Sequence, residues 1–179
     1  MGFVRTFYFF VLLIVFPGLA KAQSYRQLSV DDFQGAPHHD GLAVATTACF
    51  IDLKYDVHAR NGIYQLKFHV SLLFDTERSW IDRTRLNSSE MITDVLKHEQ
   101  GHYNIDYIEQ QELQHELESR QYSDNYKDEV STIFDRIHAK YDQLNKDYDD
   151  DTEHSQNKKQ QASWDRFFQR KLGNLLASR

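Results

Sequence analysis

Asn87-Ser88-Ser89-Glu90-Met91-Ile92-Thr93-Asp94-Val95-Leu96-Lys97-His98-Glu99-Gln100-Gly101-His102 is the stretch on which the reading of this chain turns. Asn87 and Glu90 have the spacing of a capped helix start, with Asn87 as cap and Glu90 at the third helical position. Ile92, Val95 and Leu96 recur at helical spacing, so a helix is expected through His98 and His102. Four residues turn a helix by about 400° and raise it by about 6 Å, which brings both imidazoles out on one face. Two ring nitrogens so placed can reach one Zn2+ at about 2.0–2.1 Å each. Glu99 adds a carboxylate beside such a metal but off the ligand axis. There it can take a proton from a bound water whose pKa zinc lowers toward about 7. A chance H-E-x-x-H arises in roughly 2% of chains of this size and composition. Asp94 and Asp106, four residues before and after the histidine pair, are placed to orient a ligand's other nitrogen. Gly101 leaves room for close packing at some cost in helix stability.

Upstream of this helix the period changes. Tyr64, Leu66, Phe68, Val70, Leu72 and Phe74 alternate with Gln65, Lys67, His69 and Ser71, the pattern of a half-buried strand. Asn61-Gly62 before it is a hairpin turn signal, and Leu42–Ala59 supplies the preceding extended chain. An antiparallel sheet of about three strands is expected. Downstream, helical composition passes Leu117, breaks near Ser123-Asp124-Asn125 and resumes to about Tyr148. Asp149 to Lys159 reads as polar turn, and a last helix is expected over 161–176. The fold class is α+β, with a small antiparallel sheet packed on the His98–His102 helix and further helices toward the C-terminus.

Before residue 23 the composition is that of a leader. Arg5 precedes the apolar run Phe7–Leu19, and Ala20-Lys21-Ala22 offers an A-x-A cleavage site. The run is too short for a span of roughly 20 residues. Cleavage after Ala22 is therefore expected, giving a periplasmic or secreted protein that meets the membrane only through the leader, with residues 23–179 as one domain. The chain of 179 residues has 21 basic and 27 acidic side chains, and the leader holds two basic ones and no acidic one, so the mature charge is −8. An acidic balance argues against a nucleic-acid partner. Cys49 is the single cysteine, so no intrachain disulfide forms; its apolar neighbours mark it as a buried small hydrophobe. The chain has no G-x-S-x-G, no phosphate-cradling glycine loop and no usable Cys/His pair, so nucleophilic and nucleotide chemistry are not expected. The pair His38-His39 reads as exposed loop.

A catalytic zinc takes three protein ligands and keeps one position open. Asp106 is eight residues past His98, about 12 Å along the axis, too far to share its metal. A third histidine ten residues after His98 would give a metzincin, but that position is Ile108. Glu116, Glu118, Glu129, His138 and His154 remain as candidates from other segments.

Four segments in order resemble a known family: Leu28-Ser29-Val30-Asp31-Asp32-Phe33-Gln34-Gly35-Ala36-Pro37, Ser79-Trp80-Ile81, Leu96–His102, and Tyr148-Asp149-Asp150-Asp151-Thr152-Glu153-His154 with Trp164 beyond. They are similar to the bacterial domain of unknown function 922, a family of predicted secreted zinc-dependent proteases, over about Leu28 to Trp164. The resemblance implies a zincin-like fold and His154 as third zinc ligand. Ser155 stands where the family pattern has glycine. Asp149, Asp151 and Thr152 become partners that orient the ligands, and Tyr148 becomes a donor to a developing oxyanion or else a packing residue at a helix end. The expected activity is zinc-dependent hydrolysis of a peptide or protein substrate. An amidase of cell-wall peptides and a non-enzymatic metal-binding module are the alternatives.

Overall fold

In a computed structural model, which describes residues 25–38 and 43–177, the chain forms four strands and three helices. In order they are β1 (Ala45–Thr46), β2 (Cys49–Arg60), β3 (Ile63–Phe74), β4 (Trp80–Ile81), α1 (Ser89–Glu118), α2 (Tyr126–Thr152) and α3 (Lys158–Ala177). A 3-10 turn at Val30–Asp32 precedes them, begun by a Ser29–Asp32 capping box. The expected leader and His39 lie outside the described residues. No described helix is long and apolar enough to cross a membrane.

The alternating stretch forms the strand its period demands. Strands β2 and β3 pair antiparallel from Cys49 opposite Phe74 to Arg60 opposite Ile63. Asn61 and Gly62 turn the hairpin with φ of 52° and 77°, the two positive values of a type I′ turn. Phe68, Val70 and Leu72 point inward and are buried, while Ile63 and Leu73 on the other face are exposed.

The sheet is not the single three-stranded one expected: β1 pairs only with β4, and β2 only with β3. Ala48, between β1 and β2, gives its N–H to Ser79 Oγ at 3.0 Å and accepts from Asp75 N–H at 2.9 Å. Those bonds occupy the backbone where one ladder would have continued into the other. On the outer edge of β3, Val70 N–H donates to Gln114 Oε1 at 2.9 Å, and Gln110 Nε2 donates to Val70 O at 2.7 Å. Two glutamines one helical turn apart on α1 thus satisfy an edge that would otherwise be open.

Helix α1 is central. Its cap is Ser88, whose Oγ accepts from Met91 N–H at 3.2 Å, one residue later than the sequence pattern suggested. One side of α1 packs on the hairpin, with Tyr103 edge-on to Phe74 and to Tyr25. The other side meets α2 and α3, and Ile133, Ile137, Tyr141 and Phe168 join Leu113 and Leu117 in the main core. Each such side chain contributes about 1.5–3 kcal/mol on full burial. Gln100 ties the leading segment to the helix: its Oε1 accepts from Leu28 N–H at 2.6 Å and from Gln27 Nε2 at 3.0 Å. Gly35 lies against the 77–79 backbone, where a Cβ would stand 2.6 Å from Glu77 O and 2.9 Å from Ser79 O. Only glycine allows that approach.

Helix α2 extends beyond Tyr148 through Thr152, so Asp149, Asp151 and Thr152 are helical rather than part of a polar turn. The turn is confined to Glu153–Asn157. Glu153, His154 and Ser155 all take positive φ there, at 48°, 49° and 79°.

Candidate metal centre

His98 and His102 emerge on the face of α1 that meets the end of α2. Their Nε2 atoms are 3.2 Å apart. Asp149 Oδ1, one turn from the end of α2, lies 3.1 Å from His98 Nε2 and 3.0 Å from His102 Nε2. Ligand atoms about 2.0–2.1 Å from a tetrahedral centre stand about 3.3–3.4 Å apart, so this triangle has nearly the size of one face of a zinc coordination shell. His98, His102 and Asp149 are the one group of three such donors drawn together among the described residues.

The other imidazole nitrogens are tied down. Thr152 Oγ1 donates to Tyr148 O at 2.6 Å, which leaves its lone pairs for His98 Nδ1 at 3.3 Å. His102 Nδ1 faces Asn145 Oδ1 at 2.9 Å, and Asn145 Nδ2 donates to Asp106 Oδ1 at 2.9 Å. Both Nδ1 atoms therefore carry hydrogen as donors, and both Nε2 atoms face the same point, where His102 Nε2 would give up its own proton on binding a metal. Burial alone would lower the His102 pKa, but its hydrogen bond to Asp149 and the charge of Glu99 outweigh burial and hold it up at about 9. Burial would raise the Asp149 pKa, and the bonds from His102 and His98 prevail, keeping it well below the usual carboxylate range.

Glu99 is buried and borders the same space. Its Oε2 has no hydrogen-bond partner in the protein. A buried carboxylate oxygen without a partner is costly unless a water or ion meets it, so this orphan oxygen fits a metal-bound water beside it. A cavity of about 220 Å³ opens here. The segment 43–47 forms one wall, and His98, Glu99, His102, Asp149 and His154 form the other.

The remaining expected residues fall in different places. His154 lies at the cavity rim with its side chain 65% exposed, and its Nδ1 is 3.2 Å from Asp149 Oδ1. It touches the same carboxylate oxygen from the rim but is not part of the close triangle, in which Asp149 stands with the two α1 histidines. Tyr148 is fully buried and does not line the cavity. Its ring stacks on His98 at 4.7 Å, and its hydroxyl donates to His98 O at 3.1 Å and accepts from Gln161 Nε2 at 2.8 Å. That placement matches the packing role and not the oxyanion donor. Asp94 pairs with Lys158 instead of a histidine, because it lies on the flank of α1 that faces the start of α3. Asp151 accepts from Trp164 Nε1 at 3.0 Å and so joins α2 to α3. Asp106 reaches His102 only through Asn145. Among the other candidates, Glu116 pairs with Arg120 and Arg136, Glu118 with Gln114, Glu129 with Ser123, and His138 with Glu109.

Asn145 was not singled out by sequence. Its signal was the spacing Asn145, Asp149, Thr152, which is i, i+4, i+7 on one helix face. Ending the helix at Tyr148 hid that row.

No curated protein and no solved structure matches the chain. Residues 18–156 match the family described as bacterial protein of unknown function (DUF922). The match covers the strands, the His98–His102 helix and α2 with its terminal turn, and the chain belongs to the DUF922 family.

Proposed function

We propose that this chain is an exported zinc-dependent metallopeptidase of zincin-like fold, with Zn2+ held by His98, His102 and Asp149 and with Glu99 as general base. The observation that carries the reading is the near-equilateral triangle of His98 Nε2, His102 Nε2 and Asp149 Oδ1 beside the unpartnered Glu99 Oε2. These three donors border the cavity, and a zinc they held would need no further protein ligand to act as a hydrolytic centre.

When bound, zinc supplies Lewis acidity toward a substrate carbonyl and lowers the pKa of water toward about 7. The chain's own residues do the rest. His98 and His102 present Nε2 lone pairs because their Nδ1 hydrogens are held by Thr152 and Asn145. Asp149 contributes an anionic oxygen and is steadied by His154. Glu99 Oε2 takes a proton from the attacking water and then delivers it to the leaving amine. The segment 43–47, small and apolar apart from two threonines, forms the wall along which a peptide chain would lie.

The experiment is Glu99→Gln in the mature protein, with zinc content and cleavage of a peptide library measured together. Zinc retained and hydrolysis reduced by about 10²–10⁴ supports the reading. Unchanged hydrolysis with zinc in place would sink it.

A further inference from the structure

His102 is oriented differently from His98. The partner of His98 Nδ1 is a hydroxyl whose own hydrogen is committed locally to Tyr148 O. The partner of His102 Nδ1 is a side-chain amide, and an amide can turn over by 180° with little change in shape. Turned over, Asn145 would present Nδ2 to His102 and leave His102 Nδ1 as the acceptor. The one hydrogen that a neutral His102 keeps would then sit on Nε2, where the metal has to bind.

Asp106 opposes that state. It lies one turn beyond His102 on α1, is largely buried, and receives Asn145 Nδ2 at 2.9 Å. The Cys49 thiol is its second hydrogen-bond partner, which brings β2 into the same arrangement. An ionised carboxylate only accepts hydrogen bonds, so it admits the Nδ2 edge of the amide and repels the Oδ1 edge. Burial raises the Asp106 pKa, against the lowering effect of the hydrogen bonds from Asn145 and Cys49. Both partners donate to its carboxyl group, so its acceptor oxygens are read out two bonds away as the position of one imidazole hydrogen.

We infer that Asp106 and Asn145 are paired positioning residues that hold His102 as the Nδ1–H tautomer and thereby set the metal affinity of the centre. The inference rests on the zinc reading above. Neither residue touches the metal, and each acts only through His102. Replacing Asp106 by an amide removes the bias, because two facing amides can turn over together. Exchanging the two side chains restores it: a carboxylate at 145 accepts directly from His102 Nδ1–H, and an amide at 106 donates to that carboxylate.

The test is zinc affinity by competition with a chromophoric chelator, for the wild type, Asp106→Asn and the exchange variant Asp106→Asn/Asn145→Asp. Histidine-15N NMR of the zinc-loaded wild type is recorded alongside. We expect the single variant to bind zinc about 10–100-fold more weakly. The exchange variant should recover to within about threefold of the wild type, and His102 in the wild type should carry its hydrogen on Nδ1. A residue needed only to fill space would lose nothing in the single variant, which is isosteric, and gain nothing from the exchange. Single-variant affinity within about twofold of the wild type, or no recovery on exchange, overturns the inference while leaving the zinc reading intact. Should the variants not fold, the wild-type spectrum decides: a His102 Nδ1 hydrogen protected from solvent exchange by the Asn145 carbonyl supports the inference, and one that exchanges freely with water overturns it. A wild type that binds no zinc overturns both.

Discussion

Gly101, inside the H-E-x-x-H pentapeptide, lets α1 and α2 approach closely where Tyr148 packs against it. A Cβ there would stand 2.7 Å from Tyr148 Cε1 and nearer still to Cζ and the hydroxyl. Tyr148 in turn roofs His98, so the glycine sets how closely the second half of the metal centre can approach the first. Alanine would gain roughly 1 kcal/mol of helix propensity. Forcing Tyr148 aside would cost about 1–3 kcal/mol in overpacking. Gly101→Ala should therefore be destabilised on balance in urea unfolding and should bind zinc more weakly. Stabilisation would show that the ring shifts freely. Asp149 and His154 separate in the same way. Asp149→Ala removes an atom of the donor triangle and should abolish tight zinc binding. His154→Ala removes only a partner of that carboxylate and should leave one zinc per chain, bound about 10–100-fold more weakly. Elemental analysis and chelator competition check both, and the reverse order would make His154 the ligand.

At the scale of elements, the end of α2 and the edge of β3 each carry a device with a measurable cost. Ser155 has a φ of 79° in the last of three consecutive left-handed residues, a conformation that glycine adopts freely and other residues at roughly 1–2 kcal/mol. Ser155→Gly should raise the urea midpoint, by about 1 kcal/mol in unfolding free energy, without altering zinc stoichiometry. No rise would mean that serine hydrogen bonds offset the strain. The edge of β3 depends on Gln110 and Gln114. Gln114→Leu leaves the Val70 N–H buried without its acceptor and should cost about 1–3 kcal/mol. Added self-association, seen by light scattering, is expected as the strand edge opens.

Over the whole molecule, α1 serves the hairpin on one side and α2 and α3 on the other, and buried ionisable groups along it link stability to pH. Burial raises the Glu109 pKa to about 7, against the lowering effect of His138. The native state therefore keeps a proton that the unfolded chain releases near 4.5. That advantage is complete below the unfolded value and is lost as pH rises through about 7. His102, at about 9 against 6.5 unfolded, adds a second fall between those values. Asp149 acts in the opposite sense, but only as pH drops below 3.8, outside this range. Chelator-treated protein should thus lose stability steadily from about pH 4.5 to about pH 9. Glu109→Gln should flatten the lower part of that profile. Saturating zinc, which requires a neutral His102, should flatten the upper part. Urea midpoints across the range check all three, and a level profile for the chelated protein would contradict the assignment.

The features legible along the chain are those of short-range periodicity. The alternation of Tyr64–Phe74, the Asn61-Gly62 turn and the i, i+4 spacing of His98 and His102 each follow from local backbone geometry, and each appears in the fold. The Ser88 cap missed by one residue, because Asn87, Ser88 and Ser89 are all competent caps and only the backbone path into α1 selects one. The remaining features depend on contacts between distant segments. Which residue of α2 completes the triangle depends on the rotation and axial register of α2 against α1. That register is set where Tyr148 packs on Gly101, between residues 47 apart in the chain. No local signal specifies such a long-range fit. Asp149 therefore completes the close triangle and His154 touches its carboxylate from the cavity rim, although their spacing in sequence would have allowed the reverse.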